Sequence, residues 1–142
     1  MTNILTRNPK SKLIALIVTV AVFGVLYIIS QAFLKSVYLF EWASRGLYYY
    51  IWVPALLLIP FDKTIISYSI TFGNVVGLIV GQLLGDFIRA RNMALITPET
   101  PPDREYLLSY HKGAFIWIIT VLICAALGIA MQIITSKRKA AA

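Results

Sequence analysis

The stretch TIISYSITFGNVVGLIVGQLLGDF, residues 64–87, decides how the rest of the chain is read. From Thr64 to Gly85 it carries no charge. A helix rises about 1.5 Å per residue, so roughly 20 residues cross a hydrocarbon core of about 30 Å, and this run is long enough. Inside lipid every backbone amide must be satisfied by a helix or a closed barrel. The apolar residues here are continuous and not alternating, which excludes a barrel strand. The stretch therefore predicts a membrane-crossing helix.

Two further runs share this character. Leu13–Leu34 and Gly113–Ser136 are also free of charge and no shorter than the first. They explain why 59% of the chain is hydrophobic and only 13% charged, against about 25% charged in soluble domains. The first run follows Arg7, Lys10 and Lys12 and ends near Ser30-Gln31-Ala32, a small-x-small pattern like that of a cleaved signal. It exceeds the roughly 7–15 apolar residues of a signal peptide, so a retained span is expected.

A fourth apolar segment, Gly46–Phe61, lies between Arg45 and Asp62. As a helix it would cover about 24 Å, slightly less than a bilayer core. It opens on Tyr48, Tyr49, Tyr50 and Trp52, which suit an interfacial belt, and it contains Pro54 and Pro60. The expected fold is an all-α integral membrane protein. Residues 1–142 form one domain, a bundle of four transmembrane helices near 13–34, 46–61, 64–87 and 113–135, the second short and kinked at proline. Three spans plus a re-entrant or interfacial helix is the alternative. In the polar loop 88–112, Pro102 followed by Asp103 and Glu105 reads as a helix start, so a short surface helix is expected near 103–110.

The net charge of +7 does not imply nucleic acid, because the 13 Lys and Arg residues lie in tails and loops beside the spans. With four spans, seven of them fall on the side of the tails and six on the other. Short basic tails suit a multi-pass protein of the cell inner or plasma membrane with both termini cytoplasmic. Cys124 is the single cysteine, so no disulfide forms within the chain. No cofactor motif or metal-ligand spacing stands out, and no cofactor is expected. Membrane lipid, a second copy or a larger membrane complex are the expected partners.

Within residues 64–87, Gly73, Gly77, Gly81 and Gly85 recur at every fourth position. They cover about 120° of helix surface, along which another backbone can approach closely. The last span carries Thr120, Cys124, Gly128 and Gln132 at the same interval. The glycines are therefore expected to pack on that span, antiparallel, with positions 81 and 128 close enough to crosslink and Gln132 near Ser67 or Thr71. Beside the stripe, Asn74, Gln82 and Asp86 form a polar edge, with Arg89 able to pair with Asp86 at i, i+3. As structural glue the amides are worth about 0.6 kcal/mol each, so Gln82→Leu is expected to cost about 1 kcal/mol or less. As a path they would serve transport. His111 is expected to be an interfacial surface group, and no catalytic residue is assigned.

These features favour a small non-enzymatic membrane subunit or accessory protein that associates through glycine-rich helix packing. A small transporter or channel along the third span is the alternative. A membrane enzyme acting on a lipid-linked substrate comes next.

Overall fold

The computed structural model describes residues 9–141, apart from the side chains of residues 47–49 and 139–141. Its elements are the helices α1 (Pro9–Ala32), α2 (Tyr38–Trp42), α3 (Tyr48–Leu58), α4 (Thr64–Met93), α5 (Pro102–Ser109) and α6 (Gly113–Ala141), with a kinked turn (Ala43–Leu47) joining α2 to α3. Three of them, α1, α4 and α6, are long and apolar enough to cross a membrane.

Helix ends depart from the charge-free runs in a regular way. α1 starts at Pro9, where a missing N–H costs nothing. α4 continues past the expected 87 to Met93 through Arg89 and Arg91. α6 continues past 135. Charge marks where an apolar environment would end, whereas a helix ends at the next breaker, and after Asp86 the first is Pro98. The expected surface helix is present as α5, opened by Pro102 with Asp103 and Glu105 in its first turn.

α4 is the hub. α1, α2, α3, α5 and α6 all pack on it, and α6 packs most extensively. The buried face of α1 is Ala15, Thr19, Phe23, Leu26 and Ser30, one stripe at helical spacing. The core gathers Leu26, Leu39, Phe40, Ala43, Leu78, Ala114 and Trp117.

The segment expected as a proline-kinked second helix has a different form. α3 alone is 11 residues, about 16 Å. With α2 and the kinked turn it makes one bent run over 38–58. The break falls at Gly46, φ 141° and ψ −20°, a conformation open to glycine and strained for other residues, and not at Pro54. At the start of this run the Leu39 amide meets Gln82 of α4. At its end Lys63 N donates to Leu58 O, closing the turn into α4. From Gln82 back to Lys63 is about 28 Å along α4. The bent run thus travels alongside nearly the whole apolar length of the hub.

Two ends of the molecule follow. At one, Lys12 Nζ donates to Pro60 O and pairs with Asp62 Oδ1, both at 3.0 Å, and Gln132 Nε2 donates to Asp62 O at 3.2 Å. The start of α1, the α3–α4 turn and the end of α6 therefore meet there. At the other end lie Leu39, Asp86 and His111. The spacing places Gln132 beside Ser67 or Thr71; it sits one turn further out, because antiparallel pairing sets it opposite the turn that precedes α4.

Candidate functional site

The buried residues of α4 fall on two adjacent stripes. The first is the glycine stripe, and α6 fills it. A Cβ on Gly73 would sit 2.6 Å from Cys124 Cβ. One on Gly77 would sit 2.8 Å from Trp117 Cδ1 and 3.4 Å from Thr120 Cβ. One on Gly81 would lie 2.7 Å from the Gly113 carbonyl oxygen, and one on Gly85 would run into the His111 ring. Across from them, a Cβ on Gly128 would meet Ser69 Cβ at 2.6 Å. Gly73, Gly77, Thr120, Cys124 and Gly128 thus share one tight helix contact. The register differs from the expected one. Gly128 lies opposite Ser69, about 18 Å along the helix from Gly81, because antiparallel helices pair the end of one with the start of the other.

The second stripe is Ser67, Thr71, Asn74, Leu78 and Gln82, all buried. Asn74 Oδ1 accepts from Trp117 Nε1 at 2.9 Å. Trp117 is buried and meets Trp42 edge-on, ring centroids 5.8 Å apart. Gln82 Oε1 accepts from Leu39 N at 2.8 Å, and Gln82 Nε2 donates to Asp86 Oδ2 at 2.7 Å. Thr71 donates to Ser67 O. Among the described residues, Thr19 Oγ1, Ser67 Oγ and Asn74 Nδ2 are buried without a partner.

Asp86 does not pair with Arg89, which is exposed. Its Oδ1 lies 3.1 Å from His111 Nε2. His111 is 4% exposed, not a surface group as expected, and it is flanked by Tyr38 at a ring-centroid distance of 4.4 Å. Gly85 and Gly113 leave the ring its slot, since a Cβ on either would strike it. Gly113 N donates to His111 Nδ1 at 3.1 Å. That bond fixes the tautomer: Nδ1 carries the lone pair, so Nε2 carries the proton and donates to Asp86. Gly113 is the first residue of α6, so the imidazole also acts as a helix cap. The result is one chain of hydrogen bonds, Leu39 N to Gln82 to Asp86 from one side and Gly113 N to His111 to Asp86 from the other. It ties the starts of α2 and α6 to α4.

This arrangement binds helices better than it turns over a substrate. Both ring nitrogens of His111 are committed, so general-base work would require breaking the α6 cap or the Asp86 contact. Ser109, the nearest hydroxyl in sequence after Tyr110, donates to Tyr106 O. Among the described residues no group of three His, Cys, Asp or Glu side chains could hold a metal. Cys124 is a free, half-buried thiol against Gly73.

Sequence reasoning missed His111, Trp117 and the Leu39 amide. Gly113, placed just after His111, was the available signal for the first. No signal marked the others, since a backbone amide and a lone indole carry no periodicity. Comparisons with protein-family models, with curated proteins and with solved structures find no match.

Proposed function

We propose that this chain is a small, non-enzymatic membrane protein that crosses the bilayer four times and serves as an accessory subunit. The observation that carries this reading is the internal use of the hub's polar groups: Asn74, Gln82 and Asp86, with His111 set against Asp86, hold helices to one another. Membrane insertion rests on the length and apolarity of α1, α4 and α6. The fourth crossing rests on the bent 38–58 run, which follows α4 from Gln82 to Lys63. An even number of crossings is in keeping with Lys12 and Gln132, near opposite ends of the chain, meeting at Asp62.

The glycine stripe is occupied by α6, so association with a second copy or a larger complex would use other surfaces. The outward faces of α1 and α6 expose Ile14, Ile17, Leu122 and Leu127, which suit acyl chains or neighbouring spans. The end bearing Lys12 is assigned to the cytoplasm, following the Lys and Arg that flank α1 and α6 there, Lys10, Lys12, Lys137 and Arg138.

Ser11→Cys and Ser136→Cys, each in a Cys124→Ala background, test the topology in sealed cells. Both are expected to label from the same side; labelling from opposite sides would sink the four-span reading. Native mass spectrometry of the gently solubilised protein tests the subunit role, with a stoichiometric protein partner or self-complex expected. A transport reading draws on Thr19, Ser67 and Asn74, whose partnerless polar atoms would favour a hydrated path. Water-soluble thiol reagents reaching Ser67→Cys within the membrane would favour that reading instead.

A further inference from the structure

The end of the molecule where Lys12, Asp62 and Gln132 meet holds a cavity of about 470 Å³, lined by Ser11, Lys12, Lys63, Thr64, Gln132 and Ser136 among others. Its volume is that of a small-ligand site. We propose that it binds a phosphate group, that of an anionic membrane lipid headgroup.

Three independent observations converge on that chemistry. The first is the start of α4, a helix of 30 residues that opens into the cavity at Lys63, Thr64 and Ile65 with no side-chain cap. The first backbone bond into this turn is Ser67 N to Lys63 O, which leaves the amides of Thr64 and Ile65 pointing outward without an intrahelical acceptor. Such amides, at the positive end of the helix dipole, are donors for an anion.

The second is charge. Lys12 is spent on Asp62 and Pro60 O, with its side chain 17% exposed. Lys63 is exposed and makes no ion pair among the described residues. Lys10, Lys137 and Arg138 stand within one turn of the lining in sequence. At this end the acid is Asp62 alone, whereas the opposite end carries Glu41, Asp86, Glu99, Asp103 and Glu105. A basic pocket between spans on the side of the tails is where anionic lipids concentrate.

The third is the polar lining. Ser11, Thr64 and Ser136 make no side-chain hydrogen bond to described residues and can donate to phosphate oxygens. Gln132 Oε1 is buried without a partner while its Nε2 is held by Asp62 O. Exposed Leu13, Ile133 and Ile134 follow Lys12 and Gln132 directly and offer apolar surface to the lipid's chains.

This inference rests on the membrane reading above, which alkaline extraction of cell membranes tests by itself. The site is tested on the full chain purified in mild detergent, by native mass spectrometry with added phosphatidylglycerol or phosphatidylcholine and by competition with glycerol 3-phosphate. The wild type is expected to retain phosphatidylglycerol in preference to phosphatidylcholine. Lys63→Glu should weaken that binding roughly tenfold or more and Lys63→Gln by less, since each surface cation near anionic lipid contributes roughly a fivefold preference. Lys112→Gln, at the opposite end, should leave it unchanged. Circular dichroism shows that each variant is folded. If glycerol 3-phosphate alone binds and displaces the lipid, the phosphate site stands with a soluble source. Equal retention of the two lipids by the wild type, full binding by folded Lys63→Glu, or equal losses from Lys63→Gln and Lys112→Gln would each overturn the proposal.

Discussion

Replacing Gly81 by alanine tests the hub contact most directly. A Cβ there would lie 2.7 Å from the Gly113 carbonyl oxygen and 2.8 Å from Leu39 Cδ2, while ordinary contact begins at 3.4 Å. The oxygen must therefore retreat by about 0.7 Å, and it belongs to the first turn of α6, which moves with it. A gap of that size forfeits roughly a quarter to a half of each contact's attraction along the rest of the stripe. Overpacking of this kind costs about 1–3 kcal/mol. Alanine also gains helix propensity over glycine, up to about 1 kcal/mol, which would mask part of the loss. Gly24→Ala removes that ambiguity, because Gly24 lies within a helix and a Cβ there meets nothing within 4 Å. The stability of Gly81→Ala should fall below that of Gly24→Ala by about 1–3 kcal/mol, with propensity cancelling between them. Reversible unfolding in mixed detergent micelles, followed by tryptophan fluorescence, measures the difference. Stabilities within about 0.5 kcal/mol of each other would refute the contact. An unchanged monomer with loss of a dimer would move the stripe to an interface between chains.

Cysteines at Ser69 and Gly128, in a Cys124→Ala background, should crosslink in membranes after an opening of about 1 Å toward disulfide geometry, whereas the Gly81 and Gly128 pair should not. Gln82→Leu strands the buried Leu39 amide, so its cost should be about 1–3 kcal/mol in thermal unfolding, above what average membrane hydrogen bonds suggest. Nitrogen NMR of labelled imidazole should show His111 as the neutral Nε2–H tautomer; the Nδ1–H form would contradict the α6 cap.

The sequence discloses what the membrane would impose and conceals what individual neighbours impose. Three charge-free runs, each long enough to cross a bilayer, are a demand of hydrocarbon on composition, and α1, α4 and α6 answer it. The glycine stripe is legible for a similar reason, since close approach needs small residues at a fixed interval. Its register is not legible, because the long loop between α4 and α6 allows several offsets. The buried place of His111 depends on Gly85 and Gly113, which sit on different helices. The bend at Gly46 is equally silent: two prolines nearby offer a stronger local signal, and the other residues of the turn around Gly46 carry no compositional mark. Helix spacing pairs Asp86 with Arg89 because it shows only partners on the same helix.

The two stripes of α4 divide the work of assembly. A glycine at every fourth position gives closeness but little register, since sliding α6 by one such interval, about 6 Å, presents another glycine at three of the four places. The polar residues remove that degeneracy. After such a slip Trp117 Nε1 would be one turn away from Asn74, His111 from Asp86 and Gln132 from Asp62 O. Three hydrogen bonds at different depths thus select one offset, the specifying role that buried polar groups serve in coiled coils. The consequence can be measured. Combining Trp117→Phe, Asp86→Ala and Gln132→Leu removes all three bonds and should preserve helix content, because the glycines of α4 and the small residues of α6 are untouched. Crosslinking of Ser69→Cys with Gly128→Cys should then fall, and crosslinking of Ile65→Cys with Gly128→Cys, one turn along, should rise. Crosslinking that stays confined to the 69–128 pair in the triple variant would show that packing alone sets the register and that the polar stripe serves another end.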